Sequence, residues 1–136
     1  MRKPIASVAV LVLLTAVKVA DAHHSFAVFF NDKTIEITGS VTEFRFTNPH
    51  GLISLTVKGD NGQMESWKVE TNAQTIMRRR GWTKDTLAVG DLIKVEGWPA
   101  RDGTKYLRMR AVARADGTVL FGPAPTQAAP AGGAQR

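Results

Sequence analysis

The chain of 136 residues contains no cysteine. Disulfide frameworks, thiolate metal sites and cysteine nucleophiles are therefore excluded together. Gly-x-Ser-x-Gly, His-Glu-x-x-His and the phosphate-binding glycine loop are also missing, which removes the motifs that would point to hydrolase, zinc-protease or nucleotide chemistry. The acidic residues Asp32, Glu36, Glu43, Glu65, Glu70, Asp91 and Glu96 stand singly along the chain, so no paired-carboxylate acid–base site can be read from it. The expectation is a protein that is not an enzyme. No apolar run reaches the roughly 20 residues that a helical bilayer span requires.

The two ends differ from the middle. Arg2 and Lys3 precede the apolar stretch Ile5 to Val17, and Ala20-Asp21-Ala22 supplies the small residues that a signal peptidase accepts. Residues 1–22 are expected to be a cleaved signal peptide, leaving a product that begins at His23, is exported to the periplasm and does not insert in the membrane. Without the signal, 15 basic and 11 acidic residues remain, a net +4. That excess falls short of a dedicated nucleic-acid binder, so nucleic acid is not the expected partner. Residues 123–136 (PAPTQAAPAGGAQR) have little to bury and read as a disordered tail.

The body, residues 23–122, reads as one domain of strands around one helix. Thr34–Phe46 alternates, with Ile35, Ile37 and Val41 on one face, and then changes parity to Phe44 and Phe46. A parity change within one strand means a bulge or bend, here near Gly39. Leu52–Lys58 and Met64–Glu70 flank Gly59-Asp60-Asn61-Gly62, a hairpin signal. A helix is expected over Thr71–Arg80, with Thr71 and Gln74 as a capping box, Ile76 and Met77 buried and Gly81 as its stop. Arg78, Arg79 and Arg80 in its last turn suit the helix dipole, and an anion site is the sharper alternative. Leu92–Trp98 and Lys105–Arg114 follow, the latter with Leu107, Met109, Ala111 and Ala113 inward, and then a short strand over Thr118–Phe121. Three strands, a helix and two strands, with a bent first strand, is the order of a small five-stranded OB-like β-barrel.

Three histidines carry the most chemistry. Cleavage before His23 would free an amine beside its imidazole, and His24 or His50, the latter in the Asn48-Pro49-His50 turn, would complete a nitrogen set of the kind that suits Cu(II) or another late transition metal. His23, His24 and His50 are the candidate metal ligands, with copper the candidate cofactor. A second reading leaves the histidines incidental and gives the barrel a small molecule, a glycan or an envelope partner protein. Phe46, Asn48, Arg108 and Arg110 would be the ligand-binding residues there, on the loop and face that OB barrels commonly use. Arg108, Arg110 and Arg114 fall on one side of the fifth strand, where a solvated basic face is the plainer explanation. A third reading is a structural or stress-response envelope protein without a small ligand.

Five motifs in order resemble a family of small exported bacterial proteins catalogued as a domain of unknown function (family 6152). They are Ala-His-His-Ser-Phe (Ala22 to Phe26), Asn-Pro-His (Asn48 to His50), Trp-x-x-Glu (Trp67 to Glu70), Arg-Arg-Gly-Trp (Arg79 to Trp82), and Gly-Asp running into Gly-x-Pro-Ala (Gly90 to Ala100). The chain departs from the pattern at Phe46, where the family usually shows Trp. The resemblance implies export and a single small β-rich domain, and it makes the His-His start and the Asn-Pro-His turn parts of one shared pattern. It implies no activity.

Overall fold

The computed structural model describes residues 28–123. The expected signal peptide, His23, His24 and residues 124–136 lie outside the described residues. Strands β1 (Ile35–Arg45), β2 (Leu52–Lys58) and β3 (Met64–Glu70) are followed by helix α1 (Gln74–Arg79) and by β4 (Leu92–Pro99), β5 (Tyr106–Arg114) and β6 (Val119–Phe121). The antiparallel order β3-β2-β1-β4-β5 closes on itself through a parallel β3–β5 pairing, Lys68 to Tyr106, Val69 to Leu107 and Glu70 to Arg108, and β6 extends the sheet beyond β5. This is the expected five-stranded OB-fold barrel.

The bent first strand does what its parity change predicts. Its first half pairs with β4 from Ile35 to Ser40, and its second half pairs with β2 from Gly39 to Arg45. The register shifts between Val41 and Glu43, so Thr42 is the extra residue and Phe44 and Phe46 turn toward the core, against which both pack. Ile37, Val41, Ile53, Leu55, Val57, Trp67, Val69, Ile93, Val95, Leu107, Met109 and Val112 fill the barrel.

The fifth strand departs from the expected alternation. A second register shift, between Glu96 and Gly97, pairs Glu96 with Ala111 but Gly97 with Met109. Arg110 is then the unpaired residue, and parity reverses beyond it. Val112, opposite Val95, enters the core in place of Ala111 and Ala113. Those two alanines are buried on the other side, opposite Glu96 and Lys94. Arg114 thereby leaves the side of Arg108 and Arg110 and sits opposite Ile93.

The helix is shorter than expected and is not held by a capping box. Its N-cap is Ala73, with no side-chain cap. Thr71 is instead buried, with its backbone N–H donating to Gly51 O and its hydroxyl to Asn72 O. The Gln74 side-chain amide reaches back to Phe46 O, 3.0 Å away. Met77 is fully buried but Ile76 is 45% exposed, because a helix of one and a half turns points only one apolar position inward. The stop at Gly81 holds: its φ is +84°, Trp82 N–H donates to Met77 O, and Gly81 N–H donates to Arg78 O. That bond pair is the Schellman motif, which needs a left-handed residue. It drives Trp82 into the core, edge-on to Phe44 and Phe121, with its indole N–H on Leu120 O at 2.8 Å. The helix end and β6 are tied together through this one ring.

Trp67 is 8% exposed and packs in the barrel. Trp67→Ala is expected to cost about 3–5 kcal/mol, measured by equilibrium urea unfolding. A loss under about 1 kcal/mol would show that the ring adds little to the core.

Candidate functional site

The site grows out of the barrel seam. In the parallel pairing Glu70 stands opposite Arg108, and Tyr106, two residues earlier in β5, shares its face. The loop between β1 and β2 brings His50 to the same place. Gly51 is pressed so close that a Cβ there would lie 2.7 Å from Arg45 O and 2.8 Å from Thr71 Oγ1, so only glycine lets the loop seat against the end of β3. Thr71 N–H donates to Gly51 O at 2.9 Å, and Leu52 is already in register with Glu70.

Glu70 is the hub. Its Oε1 lies 3.1 Å from His50 Nδ1 and 3.4 Å from Arg108 Nη1, and its Oε2 accepts the Tyr106 hydroxyl at 2.7 Å. The carboxylate is only 14% exposed, whereas the imidazole is 29% exposed. Burial first, and then the bond and the negative charge from Glu70, push the Tyr106 phenol well above its ordinary 10.0. The hydroxyl therefore stays a neutral donor that fixes the carboxylate. His50, Glu70 and Tyr106 line a cleft of about 310 Å³ with Arg45, Thr47, Pro49, Gly51 and Leu52.

The chain upstream of β1 is fastened beside this cleft. Phe29 is buried and bridges to Ala100. Phe30 N–H donates to Pro99 O, Arg101 N–H to Val28 O, and Arg101 Nε to Phe29 O, all at 2.8–2.9 Å. The Phe29 ring packs on Tyr106 with centroids 5.1 Å apart. Phe29, Phe30, Asn31, Trp98 and Arg108 enclose a small apolar hollow of about 110 Å³.

Of the residues singled out by sequence, His50 belongs to this cluster and Arg108 joins it through Glu70. Arg110 does not. Its Nη1 lies 2.6 Å from Glu96 Oε1, on a carboxylate that is 2% exposed and also accepts the Thr34 hydroxyl. Arg114 pairs with Asp91 at 3.1 Å. Asp91 is held below the usual carboxylate range, chiefly by the Ala88 N–H and further by Arg114. The expected basic face is thus three arginines, each held by one of the acids that stand singly in the sequence. Phe46 packs on the core beneath Arg78, and Asn48 is exposed at the tip of the loop. Among the described residues no group of three or more His, Asp and Glu side chains is arranged to hold a metal ion. Glu70, Tyr106 and Phe29 are the site residues that sequence reasoning missed. The only signals for them were Glu70 closing Trp-x-x-Glu and Tyr106 being the single tyrosine.

The chain belongs to the family of unknown function DUF6152, whose pattern matches residues 10–108. No curated protein matches it. Among solved structures it is similar to the mitochondrial single-stranded DNA-binding protein Rim1 of S. cerevisiae, at 16% identity and a TM-score of 0.47 over 61% of this chain and 92% of that one. It is also similar to the small single-stranded DNA-binding protein of Streptomyces coelicolor, at 21% identity and a TM-score of 0.41 over 62% and 93%. Part of a ZRD-deleted TiaS crystallised with agmatine is similar at 16% identity and a TM-score of 0.44, over 59% of this chain and 20% of that one. Similarity this distant concerns the fold and carries no ligand across.

With one tyrosine in the chain, tyrosinate absorbance near 295 nm reports Tyr106 alone. Its native midpoint is expected well above the 10.0 of an ordinary phenol and should fall back to about 10 in denaturant. Because the folded value is the higher one, the stabilisation is complete below pH ~10 and drains away as pH rises further. Tyr106→Phe should flatten that alkaline limb. A native midpoint near 10 would mean that the hydroxyl does not bond Glu70.

Proposed function

We propose that this protein is an exported, periplasmic binding module that holds Cu(II), or another late transition metal, with His50 as the imidazole supplied by the barrel and His23, helped by His24, as the ligands supplied by the start of the mature chain. The role is binding, not catalysis. The observation that carries this reading is the Glu70 carboxylate at His50 Nδ1. Metal-ligating histidines almost always donate their second ring N–H to a carboxylate, a backbone carbonyl or water, which fixes the tautomer and leaves the other nitrogen for the metal. The Tyr106 bond to the far oxygen of Glu70 keeps that carboxylate in place.

Chain length supports the same reading. Phe29 packs on Tyr106, which lines the cleft with His50. His24 precedes Phe29 by five residues, a step that cannot exceed about 17 Å of extended chain. Both expected N-terminal ligands are thus joined by five or six residues to the ring that packs on the cleft's tyrosine. Amine and imidazole nitrogens of this kind favour a tetragonal metal such as Cu(II), and the amine, with a pKa of about 8, deprotonates at little cost near neutral pH.

A second reading rests on the cleft alone. Arg45 and Thr47 offer donors at its wall and the Tyr106 oxygen an acceptor, which would suit a glycan, a small polar molecule or a partner's polar loop. The single-stranded DNA binding named for the two distant structures is not extended to this chain, because Arg108 and Arg110 are each engaged by a carboxylate.

The test is a Cu(II) titration followed by EPR, on protein shown by mass to begin at His23, beside the same protein carrying one extra N-terminal glycine. Tight one-to-one binding is expected, weakened sharply by the glycine and by His50→Ala with the fold intact. Glu70→Gln should lower affinity on the order of tenfold. Equal or negligible binding in all of them would remove the metal reading and leave the cleft as a site for polar organic ligands.

A further inference from the structure

The end of α1 has a charge pattern that is independent of the metal reading. Among the described arginines, Arg45, Arg108, Arg110 and Arg114 each meet a carboxylate, and Arg101 holds Phe29 O. Arg78, Arg79 and Arg80 are exposed and meet no carboxylate among the described residues. Three consecutive guanidinium groups are thus left without a carboxylate among the described residues, on a body whose other described arginines are each engaged. The helix dipole favours positive charge there but does not discharge it.

The three are also arranged. Arg78 lies over the Phe46 ring at 5.5 Å and Arg80 over the Phe121 ring at 5.7 Å, contacts that hold both head groups near the barrel wall. Ile76 is 45% exposed and stands three and four residues before Arg79 and Arg80, on their side of the helix. A large aliphatic side chain beside uncompensated arginines is the pairing found where a protein rests on a bilayer: the apolar group enters the acyl boundary and the cations meet headgroup phosphates. Single-stranded nucleic acid fits less well, since it needs aromatic faces open for base stacking, and here the Phe46 and Phe121 rings are half-buried under guanidinium groups.

We propose that the C-terminal end of α1, through Ile76, Arg78, Arg79 and Arg80, docks the barrel reversibly on a bilayer surface bearing anionic phosphate headgroups. Each arginine near such a surface is worth about fivefold in binding, so the contact is peripheral and depends on salt.

The experiment is cosedimentation of the protein beginning at His23 with vesicles of 30 mol% phosphatidylglycerol in phosphatidylcholine, against pure phosphatidylcholine, with a 20-mer of deoxythymidine as a soluble polyanion. Binding is expected only to the anionic vesicles and should fade as salt rises. Arg79→Gln with Arg80→Gln should weaken it roughly 25-fold, and Ile76→Ser should weaken it several-fold at unchanged charge. Near-UV circular dichroism and the melting temperature establish that each variant is folded. No binding to anionic vesicles, or binding indifferent to the arginine pair, would overturn the proposal. So would oligonucleotide binding as tight as vesicle binding with Ile76→Ser silent, which would assign the patch to soluble polyanions.

Discussion

The parallel pairing of β3 with β5 is the constraint on which the molecule depends. Without it the strands make an open antiparallel sheet with two exposed edges; with it they make a barrel in which Val69 and Leu107 are sealed side by side. It also sets Glu70 beside Arg108 and Tyr106. One pairing, three residues on each strand, therefore both completes the core and builds the site. A substitution that loosened the seam would expose apolar surface and dissolve the carboxylate hub together.

The arginines of β5 show how a strand can carry positive charge through a half-buried surface. A guanidinium withdrawn from water without a partner is costly. Each arginine here meets an acid brought from another strand or turn: Glu70 from β3, Glu96 from β4, and Asp91 from the turn before β4. Glu96 is the deepest of the three, and Arg110, the residue displaced by the register shift, is the one that reaches it. The bulge in β5 therefore does two things with one extra residue. It turns Val112 inward to meet Val95, and it frees Arg110 from the ladder to cover a buried carboxylate.

Much of the architecture was legible because it is local. Strand spans follow alternation and turn residues, and the change of parity in β1 announces its bulge before any pairing is known. The helix stop at Gly81 is likewise a property of a few adjacent residues. What escaped depends on partners distant in sequence. Nothing around Ala111 or Ala113 reveals that Glu96 and Gly97 will shift the register opposite them, so their inward placement failed. Thr71 resembled a cap because of its spacing to Gln74, yet tertiary contact with Gly51 claimed its backbone first. Of the site, His50 could be read from its turn. Glu70 and Tyr106 could not, since only the parallel closure makes neighbours of residues 36 positions apart.

The fastening of residues 28–30 to β4 and to the loop after it has a consequence for whatever precedes them. Three hydrogen bonds and a buried ring turn that point of the chain into a fixed mooring on the cleft wall. A group joined to such a mooring by a short flexible tether would meet the cleft intramolecularly, at an effective concentration in the millimolar range. Even a contact that would be weak between separate molecules can be well populated under those terms. If the proposed function holds, the length of chain ahead of Val28 would set how often its end meets the cleft, and one residue more or less would retune that without altering the barrel.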